Sequence, residues 1–241
     1  MCKILNNKKL EEVRLKKIIK NIIFVFLVLI ILTGCSKENT NNVQAKTDEE
    51  ISFIEDNIFN IANKYAKGEY LKNDIIEWEK ILKDEKKINN CLDSILIDLS
   101  QMDIENKDIV EFSNRLNNLI IVTSEKKENN VIIELSNLYS LLPGYMEKYS
   151  DDNNEIDKRK IKALVLACYS SANSNNWEEA KNKINDIDKK YSEMMNDIGF
   201  MQENEYNLNK VYVLIQELKT AIYLENMDLV NLKYINLIEK M

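Results

Sequence analysis

The sequence predicts an all-α fold, a multi-helix bundle made of two related three- to four-helix units in tandem. Three observations carry this. Four Gly and one Pro in 241 residues are too few for a sheet protein, which needs turn-formers about every 8–12 residues. From Thr47 onward the apolar residues recur three and four positions apart, the period of one helical face. Finally, the chain matches itself at an offset of 99 residues.

Residues 1–34 read as a signal peptide. Lys8, Lys9, Arg14, Lys16, Lys17 and Lys20 precede an unbroken apolar run, Ile22 to Leu32 (IIFVFLVLIIL). At about 1.5 Å per residue this run is too short for a hydrocarbon core of about 30 Å. It leads into Leu32-Thr33-Gly34-Cys35, with small residues just before a Cys. That LTGC resembles the lipobox of bacterial lipoprotein precursors. The resemblance implies a diacylglyceryl group on the Cys35 thiol and signal-peptidase cleavage between Gly34 and Cys35. Two acyl chains, at about 0.8 kcal/mol per buried CH₂, make a firm anchor. Residues 35–46, with the polar stretch Ser36 to Gln44, are expected to be a flexible tether.

The first helical unit is assigned to 47–149. Thr47 or Asp48 is expected to cap its first helix, with Ile51, Ile54, Ile58 and Ile61 as the stripe and Gly68 as the stop. A long helix is expected from about Leu71 to Met102, with Ile75, Trp78, Ile81, Ile88, Ile95 and Leu99 facing inward. Ile109, Phe112, Leu116 and Leu119 mark the next. Ile132, Leu135 and Leu138 mark another, until Pro143-Gly144 kinks or stops it.

The second unit, 150–241, starts at the capping cluster Asp151 to Asn154, which leads a helix bearing Ile161, Leu164, Val165 and Cys168. Trp177, Ala180, Ile184, Ile187, Tyr191, Met194 and Ile198 then alternate at three and four, with Gly199 as the break. Leu208 to Ile222 and Leu229, Leu232, Ile235, Ile238 are the last two stripes. At the 99-residue offset Trp78 falls on Trp177, Ile88 on Ile187, Phe112 on Val211 and Leu116 on Ile215. Two residues dropped in the next loop put Glu128-Asn129 on Glu225-Asn226 and Leu135 on Leu232. The repeat suggests two related bundles or one elongated array.

Asn176-Trp177-Glu178-Glu179-Ala180, the Ile184/Ile187/Tyr191 stripe and Glu225-Asn226 resemble a family of uncharacterised helical domains. These occur in short membrane-anchored proteins of clostridia and related Gram-positive bacteria. The likeness covers about 65 residues from Asn176. The first unit departs from it, with Glu77-Trp78-Glu79-Lys80. It implies a helical fold and a membrane address but no chemistry. Asn-Trp-Glu-Glu-Ala and Gly68-Glu69-Tyr70 are also similar to tetratricopeptide helix pairs, whose 34-residue period is absent.

Composition narrows the chemistry. With no His, Ser-His-Asp and Cys-His catalysis and His-based zinc sites are excluded. Outside the leader, 38 acidic side chains face 26 basic ones, a balance unsuited to nucleic acid. No Gly-rich phosphate loop is present. Cys91 and Cys168 lie on apolar stripes and are expected as buried thiols, with a disulfide as the alternative. Trp78 and Trp177 read as core anchors. Asp151 to Glu155 reads as a cap, lacking the Gly and late Glu of an EF-hand. No catalytic residue, metal site or cofactor is predicted.

The expectation is therefore a lipid-anchored protein on the outer side of the cell membrane. It is read as a non-enzymatic interaction or envelope-structural module, with other envelope proteins as partners and no nucleic acid. The alternatives are a substrate-binding lipoprotein of a transporter and a carboxylate-dependent cell-wall hydrolase.

Overall fold

The computed structural model describes residues 43–241 apart from 74, 103 and 197. Gly34 and Cys35 lie outside the described residues. Residues 47–241 form one compact unit, an all-α multi-helix bundle. Helix α1 covers 43–66, so residues 43–46, assigned above to the tether, are helical, and Thr47 is buried within the helix rather than capping it.

A two-residue antiparallel ribbon follows, β1 (Leu71–Lys72) and β2 (Ile75–Ile76), with Leu71 opposite Ile76. Then come α2 (Trp78–Asn90), α3 (Leu92–Gln101), α4 (Asn106–Ser124) and α5 (Glu128–Tyr139). Next are α6 (Leu142–Met146), α7 (Asn153–Asn173), α8 (Trp177–Met195), α9 (Ile198–Tyr223) and α10 (Met227–Ile238).

Two groups of four long helices share one plan. In the first, α2 packs on α4, α4 on α5, and α1 meets α5 where Phe59 and Tyr139 make an edge-to-face contact 4.7 Å between centroids. In the second, α7, α8, α9 and α10 pack in sequence, and α10 returns to α7 with Tyr234 stacked on Tyr169 at 4.2 Å. The expected units 47–149 and 150–241 meet where α5 and α6 lie against α7, and pack as one body.

The turns repeat with the helices. At the end of α4, Lys126 is left-handed (φ 58°). The Lys126 amide donates to Thr123 O at 3.0 Å and the Lys127 amide to Val122 O at 2.9 Å. Ninety-nine residues on, Glu225 is left-handed (φ 51°). Its amide donates to Ile222 O at 3.1 Å, and that of Asn226 to Ala221 O at 3.3 Å. This is the paired closure of a Schellman cap. Asn175 (φ 58°) and Gly68 (φ 69°) end α7 and α1 in the same way. The next helix starts at Glu128 in one unit and Met227 in the other, so the 99-residue offset continues without the two-residue gap expected in that loop. Leu135 corresponds to Tyr234, not Leu232.

Four readings from periodicity are corrected. The stretch from Leu71 is not helical until Trp78. Asn73 takes a left-handed φ of 52°, and the ribbon leaves Ile75 exposed. The remaining helix is interrupted at Cys91. Pro143 does not stop α5, which has already ended at Tyr139. It sits in the first turn of α6, where its missing N–H costs nothing. Gly199 likewise falls in the first turn of α9, the break having come after Met195. On α10 Ile235 and Ile238 of the expected stripe are buried, together with Val230, Tyr234 and Leu237, while Leu229 and Leu232 face solvent.

Candidate functional site

The two groups of helices are joined by ionic contacts. Glu55 on α1 accepts hydrogen bonds from Arg159 Nε and Lys162 Nζ on α7, each at 2.7 Å. Glu55 and Arg159 are both buried. Arg159 also donates to Ser52 Oγ at 3.2 Å and pairs with Glu155 at 2.8 Å. A buried carboxylate needs such partners, because an unpaired charge there costs several kcal/mol.

A second polar cluster lies where α1, the ribbon and α2 meet. Asp84 on α2 accepts from Lys64 at 2.8 Å, Lys87 at 2.8 Å and the Tyr70 hydroxyl at 2.9 Å. Burial alone would raise the Asp84 carboxyl, but these three donors outweigh it and hold it down to about 2. Tyr70 is itself buried, and its carbonyl accepts the Glu77 amide at 2.7 Å, which closes the base of the ribbon. The adjacent Glu85 is fully buried. Thr123 of α4 donates to one of its oxygens, and the other has no partner among the described residues. Burial pushes this carboxyl up to about 7, against the lowering effect of the Thr123 hydrogen bond.

An open cleft of about 340 Å³ lies between the start of α7, the end of α8 and α9. Its walls include Asp152, Glu155, Lys158, Tyr191, Leu208 and Lys240. Most of its polar groups are engaged. Asp152 caps α7 by accepting from the Glu155 amide at 3.0 Å, Glu155 pairs with Arg159, and the Tyr191 hydroxyl donates to Leu208 O at 3.1 Å. The Asp151 to Glu155 run is thus a helix cap, as its composition suggests.

The two described thiols are free and lie in different surroundings. Cys168 is buried and donates to Ala180 O at 3.4 Å, and burial pushes it up to about 12. Cys91 is half-buried in the break after α2, with its thiol raised by burial and by the charge of Glu50. Neither environment favours a thiolate. Trp78 and Trp177 start their helices half-buried. Among the described residues no three His, Cys, Asp or Glu side chains gather closely enough to hold a metal ion. No described helix is long and apolar enough to cross a membrane.

Exposed apolar side chains gather around the last turn. Tyr223 ends α9, Leu224 follows it in the turn, and Leu229 and Leu232 stand on α10, with Leu224 63% exposed and Leu232 50% exposed. Glu55 with Arg159, and Glu85 with Thr123, were not singled out from the sequence. Glu85 carried a usable signal, because the 99-residue offset sets it on Ile184 and Thr123 on Ile222. No protein family, curated protein or solved structure matches the chain.

Proposed function

We propose that the protein is a lipoprotein anchored on the outer side of a bacterial cytoplasmic membrane, whose helical body binds envelope proteins rather than catalysing a reaction. The observation that carries this is the order of residues at the start of the chain. A basic stretch is followed by an 11-residue apolar run and Leu32-Thr33-Gly34-Cys35. The acidic helical body supports the interaction role, because its described thiols are unactivated and its best-formed carboxylate contacts are structural. The exposed apolar residues at the α9–α10 turn add to that support.

Cells producing the full chain and fed an alkyne-tagged fatty acid test the anchor. The wild type should take up label and sediment with membranes, whereas C35A should remain unlabelled. Equal labelling of C35A would refute the anchor. For the interaction role, crosslinking in intact cells should give discrete adducts that L224S/L229S/L232S loses. Identical adducts from both proteins would remove this surface from the reading.

A further inference from the structure

The two helical units differ most at one place. In the second, Asn175 and Asn176 pass directly from α7 into Trp177. In the first, Gly68 makes the same turn, but eight further residues intervene before Trp78 and form the β1–β2 ribbon. Next to Asp84, which ties Tyr70 at the base of this insertion, the core pair also changes. Ile184 and Ile222, both fully buried in the second unit, are replaced by Glu85 and Thr123, also fully buried. The neighbouring position changes from Lys183 to Asp84, the residue that holds Tyr70 and with it the ribbon.

A polar pair in place of two Ile costs stability, and more so because one Glu85 oxygen has no partner. We propose that Glu85 and Thr123 form a proton-operated latch. With Glu85 protonated, the β1–β2 ribbon is held down on α2. With Glu85 ionised, the ribbon and the adjoining ends of α2 and α4 loosen. The second unit carries no such device.

The groups facing this site are few. Thr123 faces it from α4, and Tyr70 from the base of the ribbon, where its phenol feels the Glu85 charge. Lys64 of α1 and Lys87 of α2 are committed to Asp84. Burial and the Thr123 bond act on the Glu85 carboxyl, and among the described residues no neighbouring charge adds to either. Ionisation therefore places a fully buried carboxylate, with no cation partner among the described residues, close enough for its charge to act on the Tyr70 phenol that fastens the ribbon.

Hydrogen exchange of the full chain, corrected for the intrinsic effect of pH, tests this within one molecule. Amides of 68–90 and 116–124 should lose protection by about tenfold or more between pH 5 and pH 8. Those of 215–223, the counterpart of the α4 end, should keep theirs. E85Q, and E85I/T123I with the residues of the second unit, should abolish the difference. Equal pH sensitivity in both units, or sensitivity that persists in E85Q, would overturn the latch. Should either variant fail to fold, the comparison between units in the wild type decides.

Discussion

Asp84 and Glu85 are neighbours on α2 with opposite charge preferences. Asp84 is pinned as a carboxylate by Lys64, Lys87 and Tyr70, while Glu85 is enclosed, with Thr123 as its one hydrogen-bond donor among the described residues. Their carboxyls are displaced in opposite directions, to about 2 and about 7.

Opposite pH limits to stability follow from this pair. Asp84 is depressed, so its contribution is complete above its ordinary value of 3.8 and is lost as pH falls through about 2. Glu85 is raised, so its effect is most favourable below 4.5. Stability then declines as pH rises to about 7 and stays lower beyond it. That second limb is worth about 3 kcal/mol at most. Urea midpoints from pH 2 to pH 8 should show the neutral limb flattened in E85Q and the acid limb flattened in D84N. A neutral limb unchanged in E85Q would contradict the assignment.

The Glu55–Arg159 pair predicts a strong asymmetry between single and double replacement. E55M leaves the buried Arg159 with Glu155 alone and R159M leaves Glu55 with Lys162 alone, so each should cost at most about 3–5 kcal/mol. E55M/R159M removes both charges and should recover most of that loss. Chemical denaturation of the four proteins forms the cycle, and additive losses would show that the two side chains act independently.

Three of the four helix-ending turns place an ordinary residue in left-handed backbone, namely Lys126, Asn175 and Glu225. Such a conformation costs a side chain about 1 kcal/mol or more, least for Asn. K126G and E225G should each raise stability by about 0.5–1 kcal/mol, and N175G by less. G68A should lower it, because Gly68 has φ 69°, although a new methyl group would meet only Leu71 Cδ1 at an ordinary contact of 3.6 Å. Thermal melts read these small shifts directly.

Thiol reactivity should separate the two cysteines of the helical body. In the native full chain, a small alkylating reagent should modify Cys91 slowly. It should leave Cys168 untouched until denaturant is added, since the latter is buried with its thiol near 12. Peptide mapping after timed quenching distinguishes the sites.

The helical plan was legible wherever periodicity and capping agreed. The Asp151 to Asn154 cluster before the α7 stripe, and Trp177 at the head of its heptad, mark starts that the structure reproduces within a residue or two. Periodicity misled where apolar residues kept helical spacing through a turn. Ile75 stands three residues before Trp78 and reads as one face with it, although Asn73 reverses the chain between them and Gly68. On α10 seven of the twelve residues are Leu, Ile, Val or Met, so several stripes fit equally, and the one chosen by spacing is buried at Ile235 and Ile238 but exposed at Leu229 and Leu232. The ionic joint was beyond local reading, because 104 positions separate Glu55 from Arg159. Glu85 was hidden in a charged run from Lys83 to Lys87, whose other members suit a solvated face.

The joint between α1 and α7 bears on severing the chain. Its acid belongs to the amino-terminal half and its two bases to the carboxy-terminal half. A cut between Glu147 and Asp152 would give one fragment an orphaned anion and the other the matching cations. Glu55 then regains Arg159 and Lys162 only when the fragments dock, and two separately made polypeptides should reassemble on mixing.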